Sequence, residues 1–306
     1  MNYPRVPESK QRTGRCGQYV ALQMFLFRTA PLELQAETGY AKGELWLVDL
    51  ADFDSVKRFA DKFESDGGRL DILVENAAIS TGTYNATKDG WETSFPLSER
   101  HFHPPCGSPP PPGDDQDRRK ILDAPRLVVV ASEVHFFIEI EKEVYRNPDI
   151  LKTLSSAEYS TPSTMPSRYT LTKLLNVFFV RTLNARLPPS TPVIINMVNP
   201  GFCQSELSRD TQGITGAIMR LFNRILAFTA EEGSRQLVWA AFGGEPETLR
   251  GEYISGCEVE EVADFVLSPE GGKAENQLWD ELVDILGEVD PRVNGIIEQY
   301  ITATLA

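Results

Sequence analysis

The run "RLVVVAS" (residues 126–132) is apolar at successive positions and closes on small and polar residues. A strand with one face in water alternates, whereas one buried on both faces reads as an unbroken β-branched run. "LDILVENAA" (70–78), "PVIINMVNPG" (192–201) and "ELWLVDL" (44–50) have the same character. Between them, "DFDSVKRFADKFESDGG" (52–68) opens on acidic residues and closes on two glycines, as a helix does. Strand and helix alternate. The pattern predicts an α/β fold: a doubly wound parallel sheet flanked by helices in three layers.

The 306 residues suffice for one such domain, and residues 1–306 are read as a single unit. "YVALQMFLF" (19–27) is too short to span a bilayer and lacks signal-peptide flanks, so it is expected to be a buried strand. Residues 96–123 hold a proline cluster followed by mixed charges and are expected to form an irregular insert. A second irregular region is expected over 139–167, where a long loop near strand ends shapes a binding site. "GITGAIMRLFNRILAF" (213–228) and "QLWDELVDILGEV" (277–289) are amphipathic and read as core-facing helices.

With 44 acidic against 30 basic residues the formal net charge is -14, and no basic cluster offers a footprint for a phosphodiester backbone. Nucleic acid is not expected as a partner. Cys16, Cys106, Cys203 and Cys257 show no CxxC pairing, which suggests ordinary thiols in a reducing, cytoplasmic setting. "HFHPPC" (101–106) gathers two histidines and a cysteine but not the four ligands of a closed zinc site, so no metal is expected.

The chemistry-bearing stretch is "SRYTLTKLLN" (167–176). On a helix Tyr169 and Lys173, four apart, project together. An ammonium beside a phenol favours the phenolate, drawing a tyrosine towards general acid/base use. A solvated helix face would show the same spacing. Context favours chemistry: Ser132 ends one buried run and "VNPG" another, and open parallel sheets bind ligands at the carboxyl ends of their strands.

Taken in this order, the motifs resemble those of the short-chain dehydrogenase/reductase family, over residues 43–95 and from 124 to the C-terminus. The resemblance implies a Rossmann fold that moves hydride between a nicotinamide cofactor and a small-molecule alcohol or carbonyl. It implies Ser132, Tyr169 and Lys173 as the catalytic set. Tyr169 would donate the proton, Ser132 would hydrogen-bond the substrate oxygen, and Lys173 would hold the nicotinamide ribose. Asp49 of "LVDL" would contact adenine, and Asn76 of "ENAA" matches the second Asn of the family's NNAG, with Glu75 and Ala78 replacing its first and last residues. Val198 and Ser205, flanking Pro200–Gly201, would face the nicotinamide. Arg28, after the apolar run, suits the 2′-phosphate of NADP, with NAD as the alternative cofactor. The wording is similar to fungal retinol-dehydrogenase-like members, several of which modify secondary metabolites; self-association stays open.

Two departures stand beside the resemblance. Residues 1–42 are divergent and hold no TGxxxGxG turn, "TGRCGQ" (13–18) being the nearest string. Between Phe95 and Ala124 there is no asparagine, where the family carries one on a long helix. They motivate an alternative: a relative that keeps the fold without productive cofactor binding.

Overall fold

The computed structural model describes residues 35–36, 39–40, 43–66, 70–95, 124–203 and 227–301, together with the backbone of 18–22. Its centre is a six-stranded sheet: β1 (Gln18–Leu22), β2 (Leu70–Glu75), β3 (Arg126–Val130), β4 (Ile194–Val198), β5 (Tyr253–Ser255) and β6 (Glu258–Glu260), neighbours in that order. The first five are parallel and β6 closes an antiparallel hairpin. The hairpin turn sets Gly256 and Cys257 at φ 62 and 64, the left-handed pair that a two-residue turn of matching twist requires. Cys257 accepts that geometry while its N–H donates to Gln236 Oε1 at 2.8 Å.

The helices are α1 (Phe53–Ser65), α2 (Lys142–Tyr145), α3 (Ile150–Ser155), α4 (Arg168–Arg186), α5 (Ala230–Phe242), α6 (Asp264–Leu267), α7 (Pro269–Val289) and α8 (Arg292–Tyr300). Successive strand residues point to opposite faces. Leu127, Val129, Ile195 and Met197 therefore pack on one side with the apolar residues of α4 and α7, and Val128, Val130, Ile194 and Val198 on the other with Ala240 and Ala241 of α5. Helices on both faces of a parallel sheet make the three-layer, Rossmann-like arrangement that the unbroken β-branched runs called for. Among the described strands the order rises without reversal. No described helix is long and apolar enough to cross a membrane.

Two expectations need correction. Residues 44–50 do not form a strand. Leu47 is two-thirds exposed, and Trp46 instead sets its ring edge-on to Phe59 and Phe63 of α1, under the Lys62 ammonium. A strand needs a neighbour for its N–H and C=O groups; here Asp49 N–H goes to Ser55 Oγ and the Asp49 carbonyl to Asp52 N–H. The run expected as a strand over 19–27 is a strand over Gln18–Leu22; 23–27 lie outside the described residues, as do 1–17, 96–123 and 204–226. The region 139–167 is not irregular but carries α2, α3 and a 3₁₀ turn at Met165–Ser167. The reason is a partner remote in sequence. The Glu281 carboxylate, on α7, accepts the Leu151 and Lys152 N–H groups at 2.6 and 3.1 Å and caps α3, which has no side-chain cap of its own.

The expected helices over 52–68 and 277–289 are present as α1 and the second half of α7. Asp52 caps α1 by accepting Asp54 N–H at 2.8 Å. Arg126, buried at the start of β3, closes the other end of a helix: its guanidinium donates to the Ala240 and Gly243 carbonyl oxygens at 3.0 and 2.8 Å, the last turn of α5.

Candidate active site

Because β2, β3 and β4 run parallel, their carboxyl ends lie at one edge of the sheet. Register pairs Glu75 with Val129 and Val130 with Val198. Asn76, Ser132 and the Asn199–Gly201 turn thus leave the sheet side by side. Gly201 has φ 79, and a Cβ there would meet the Phe228 ring at 2.9 Å, so this turn needs glycine on both counts.

Ser132 is extended (φ -165, ψ 151) and begins a 3₁₀ turn over Glu133–Phe137, its Oγ accepting Val134 N–H at 3.4 Å. Its carbonyl oxygen is held by His135 Nδ1 at 2.7 Å. Ala263 N–H donates to His135 Nε2 at 3.3 Å, which puts the proton of a neutral ring on Nδ1. Burial holds this imidazole below its ordinary pKa, consistent with the neutral form.

Tyr169 lies in the first turn of α4, its phenol near enough to the Ser132 hydroxyl to feel it electrostatically. Burial pushes the phenol up to about 12; the Ser132 hydroxyl lowers it in part, and the charge of Cys203 raises it. Lys173, one turn on, is buried and pushed down to about 8 by that burial. Its Nζ donates to the Val130 carbonyl oxygen at 2.5 Å and sits 5.6 Å from the centre of the Tyr169 ring. The expected drop in the tyrosine pKa is therefore absent: the ammonium is engaged by the strand end, and loss of hydration dominates the phenol.

The structure brings Ser132, Tyr169 and Lys173 together, with Val198 beside Val130 and Asn76 in the neighbouring strand exit. Asp49 is on the turn leading into α1, its Oδ1 accepting Ala51 N–H at 2.9 Å. Ser205 lies outside the described residues, as do Arg28, His101, His103 and Cys106. Among the described residues no cluster of His, Cys, Asp or Glu could hold a metal ion.

Sequence reasoning missed the residues that fix this set in place. Arg168, 1 % exposed, precedes Tyr169 and lies 3.7 Å from the fully buried Glu92 carboxylate. Its Nη groups donate to the Leu154 carbonyl and to Ser160 Oγ at 2.7 and 2.8 Å, and its guanidinium lies over the Phe95 and Tyr159 rings. Asn176 donates to the same Val130 oxygen as Lys173, at 3.3 Å. The i+3 spacing of Lys173 and Asn176 and the His three residues after Ser132 were the available signals.

No protein-family model matches the chain. Among curated proteins, the chain is 33% identical over 251 residues to the short chain dehydrogenase/reductase dmxR8 of Cryptosporiopsis sp., covering 82% of this chain and 75% of that one. It is 34% identical over 214 residues to the short chain dehydrogenase atnD of Emericella nidulans, covering 69% and 66%. Among solved structures, the closed form of serine dehydrogenase complexed with NADP+ superposes with a TM-score of 0.50 at 16% identity, covering 82% of this chain and 87% of that chain. That likeness speaks to the fold alone.

Proposed function

Since the chain belongs to the short-chain dehydrogenase/reductase family, we propose that it transfers hydride between NADP and a small-molecule alcohol or carbonyl, a compound of fungal secondary metabolism. The observation that carries this reading is the Ser132–Tyr169 hydroxyl pair beside the buried Lys173, at the carboxyl ends of parallel strands. Fit to a nicotinamide nucleotide is supported by unspent donors. An ammonium has three N–H donors, and among the described residues Lys173 uses one acceptor, the Val130 carbonyl oxygen. Sugar hydroxyls accept such donors. Asp49 and Asn76 would line the adenine side, Val198 and Ser205 the nicotinamide side.

When bound, the cofactor supplies or removes the hydride. In the reducing direction the Tyr169 hydroxyl gives its proton to the carbonyl oxygen as the carbonyl carbon receives hydride, leaving an alcohol and a phenolate to be reprotonated from solvent. Ser132 donates to the same oxygen, and donors already in place cost no reorganisation as charge develops. A phenol near 12 is fully protonated at neutral pH, so the ligand-free site is set for reduction. NADPH consumption with a panel of aldehydes and ketones tests the assignment; no turnover and no NADPH binding would favour the fold-only alternative, which the absent TGxxxGxG turn supports.

The two shifted groups give a pH signature. Below about 8 Lys173 carries its charge; above it, the ribose-holding ammonium is lost. The kcat/KM for NADPH, which reports the free enzyme, is expected to fall about tenfold per pH unit above 8. Tyr169 should add no limb below pH 10. Alcohol oxidation needs both the phenolate and the ammonium, so it should rise with pH up to about 8 and level off above it, where the Tyr169 gain and the Lys173 loss offset each other. A reductive profile flat to pH 10 would remove Lys173 from this role.

A further inference from the structure

Two side chains of α4 share one acceptor. Lys173 Nζ and Asn176 Nδ2 both donate to the Val130 carbonyl oxygen, at 2.5 and 3.3 Å. A carbonyl has two lone pairs and accommodates both. Val130 is the last residue of β3, two before Ser132, so this oxygen ties the strand that delivers the serine to the helix that delivers the tyrosine.

The two donors differ in what else they can do. Asn176 is buried on a helix turn otherwise filled by Leu174, Leu175, Val177 and Phe178, where a leucine would pack without any polar demand. Its Oδ1 is buried and has no partner among the described residues. An amide kept in such a place at the cost of an unsatisfied oxygen is poorly explained by packing. Its retention is explained if the Val130 oxygen must keep a donor when the shorter bond, that of Lys173, is given up.

We propose that Asn176 is a positioning residue for Lys173. It holds the Val130 carbonyl while the lysine ammonium turns from that oxygen to the sugar hydroxyls on the nicotinamide side, so β3 and Ser132 keep their place as the ligand enters. Without the amide, the ammonium is the sole donor to a buried carbonyl among these groups, and leaving it would strand that oxygen. The inference rests on the NADP reading above and assigns a division of labour within that site.

The test is binding, compared between NADPH and 2′,5′-ADP, which carries the adenosine half but no nicotinamide ribose. Calorimetric titration of Asn176→Leu should show NADPH bound about tenfold more weakly, roughly the loss of one modest hydrogen-bonding contribution, with 2′,5′-ADP within about twofold of the unaltered protein. In a Lys173→Met background the same change should have no further effect on NADPH, because two residues acting through one bond are not additive. Equal weakening of both ligands, full additivity with Lys173→Met, or unchanged NADPH binding would each overturn the proposal. If Asn176→Leu fails to fold, Asn176→Ser, polar but too short to reach Val130, replaces it in the same comparison. Failure of the unaltered protein to bind NADPH would overturn the parent reading, and this one with it; selective retention by the variant overturns this one alone.

Discussion

Tyr169→Phe is expected to lower NADPH-dependent carbonyl reduction by about 10²–10⁴-fold, the range of a lost general acid. NADPH affinity should stay within about twofold, since removing one hydroxyl need not disturb the Lys173–Val130 bond. The size follows from the site. The phenol lies beside the Ser132 hydroxyl, and burial leaves it fully protonated at neutral pH. Phenylalanine keeps the ring that lies against the Lys173 ammonium, so the fold is spared. A thousandfold loss corresponds to about 4 kcal/mol of transition-state stabilisation. Turnover of the variant within threefold of the unaltered protein would end the assignment of Tyr169 as acid.

Arg168→Met should be the most destabilising single change near the site, by about 3–5 kcal/mol, because it leaves the Glu92 carboxylate buried without its cation. The double variant Arg168→Met/Glu92→Gln should recover much of that loss, since removing both charges avoids the stranded one. Burial already holds the Glu92 carboxyl above its ordinary range, with Arg168 opposing the shift. A raised carboxyl contributes its stability at low pH and loses it as pH rises through the raised value. The single variant should therefore approach the unaltered protein in acid and fall away towards neutrality. Urea unfolding of the three proteins at pH 5 and pH 8 measures this; equal losses at both pH values would show that Glu92 is not the cause. Fixing the first turn of α4 also fixes where Tyr169 stands relative to β3 and Ser132.

Much of this was legible because two-sided burial leaves a mark on composition. The runs at 70–75, 126–130 and 194–198 are strands, and the residues just beyond them supply Ser132 and the Asn199–Gly201 turn. The 3.6-residue repeat likewise placed Tyr169 and Lys173 on one side of α4. The run at 44–50 misled because the same composition serves a segment that packs Trp46 on a helix and sends its backbone bonds to local side chains. The helices within 139–167 were invisible because α3 is capped from Glu281, far along the chain. Arg168 and Asn176 look like ordinary polar helix residues in sequence; only burial, 1 % and 6 % exposure, separates them from a solvated face.

The burial of α4 on nearly every side carries a mechanical consequence. Residues 171–180 are all buried, whereas α1 buries none of its residues. In hydrogen–deuterium exchange, amides in the middle of α4 should open only when the molecule unfolds as a whole, and those of α1 by local fluctuation. The proposed cofactor would then bridge a compliant support beneath adenine and a stiff one beneath nicotinamide. Adaptability would be confined to the end of the ligand where no bond is broken, and rigidity reserved for the end where hydride and proton must arrive together.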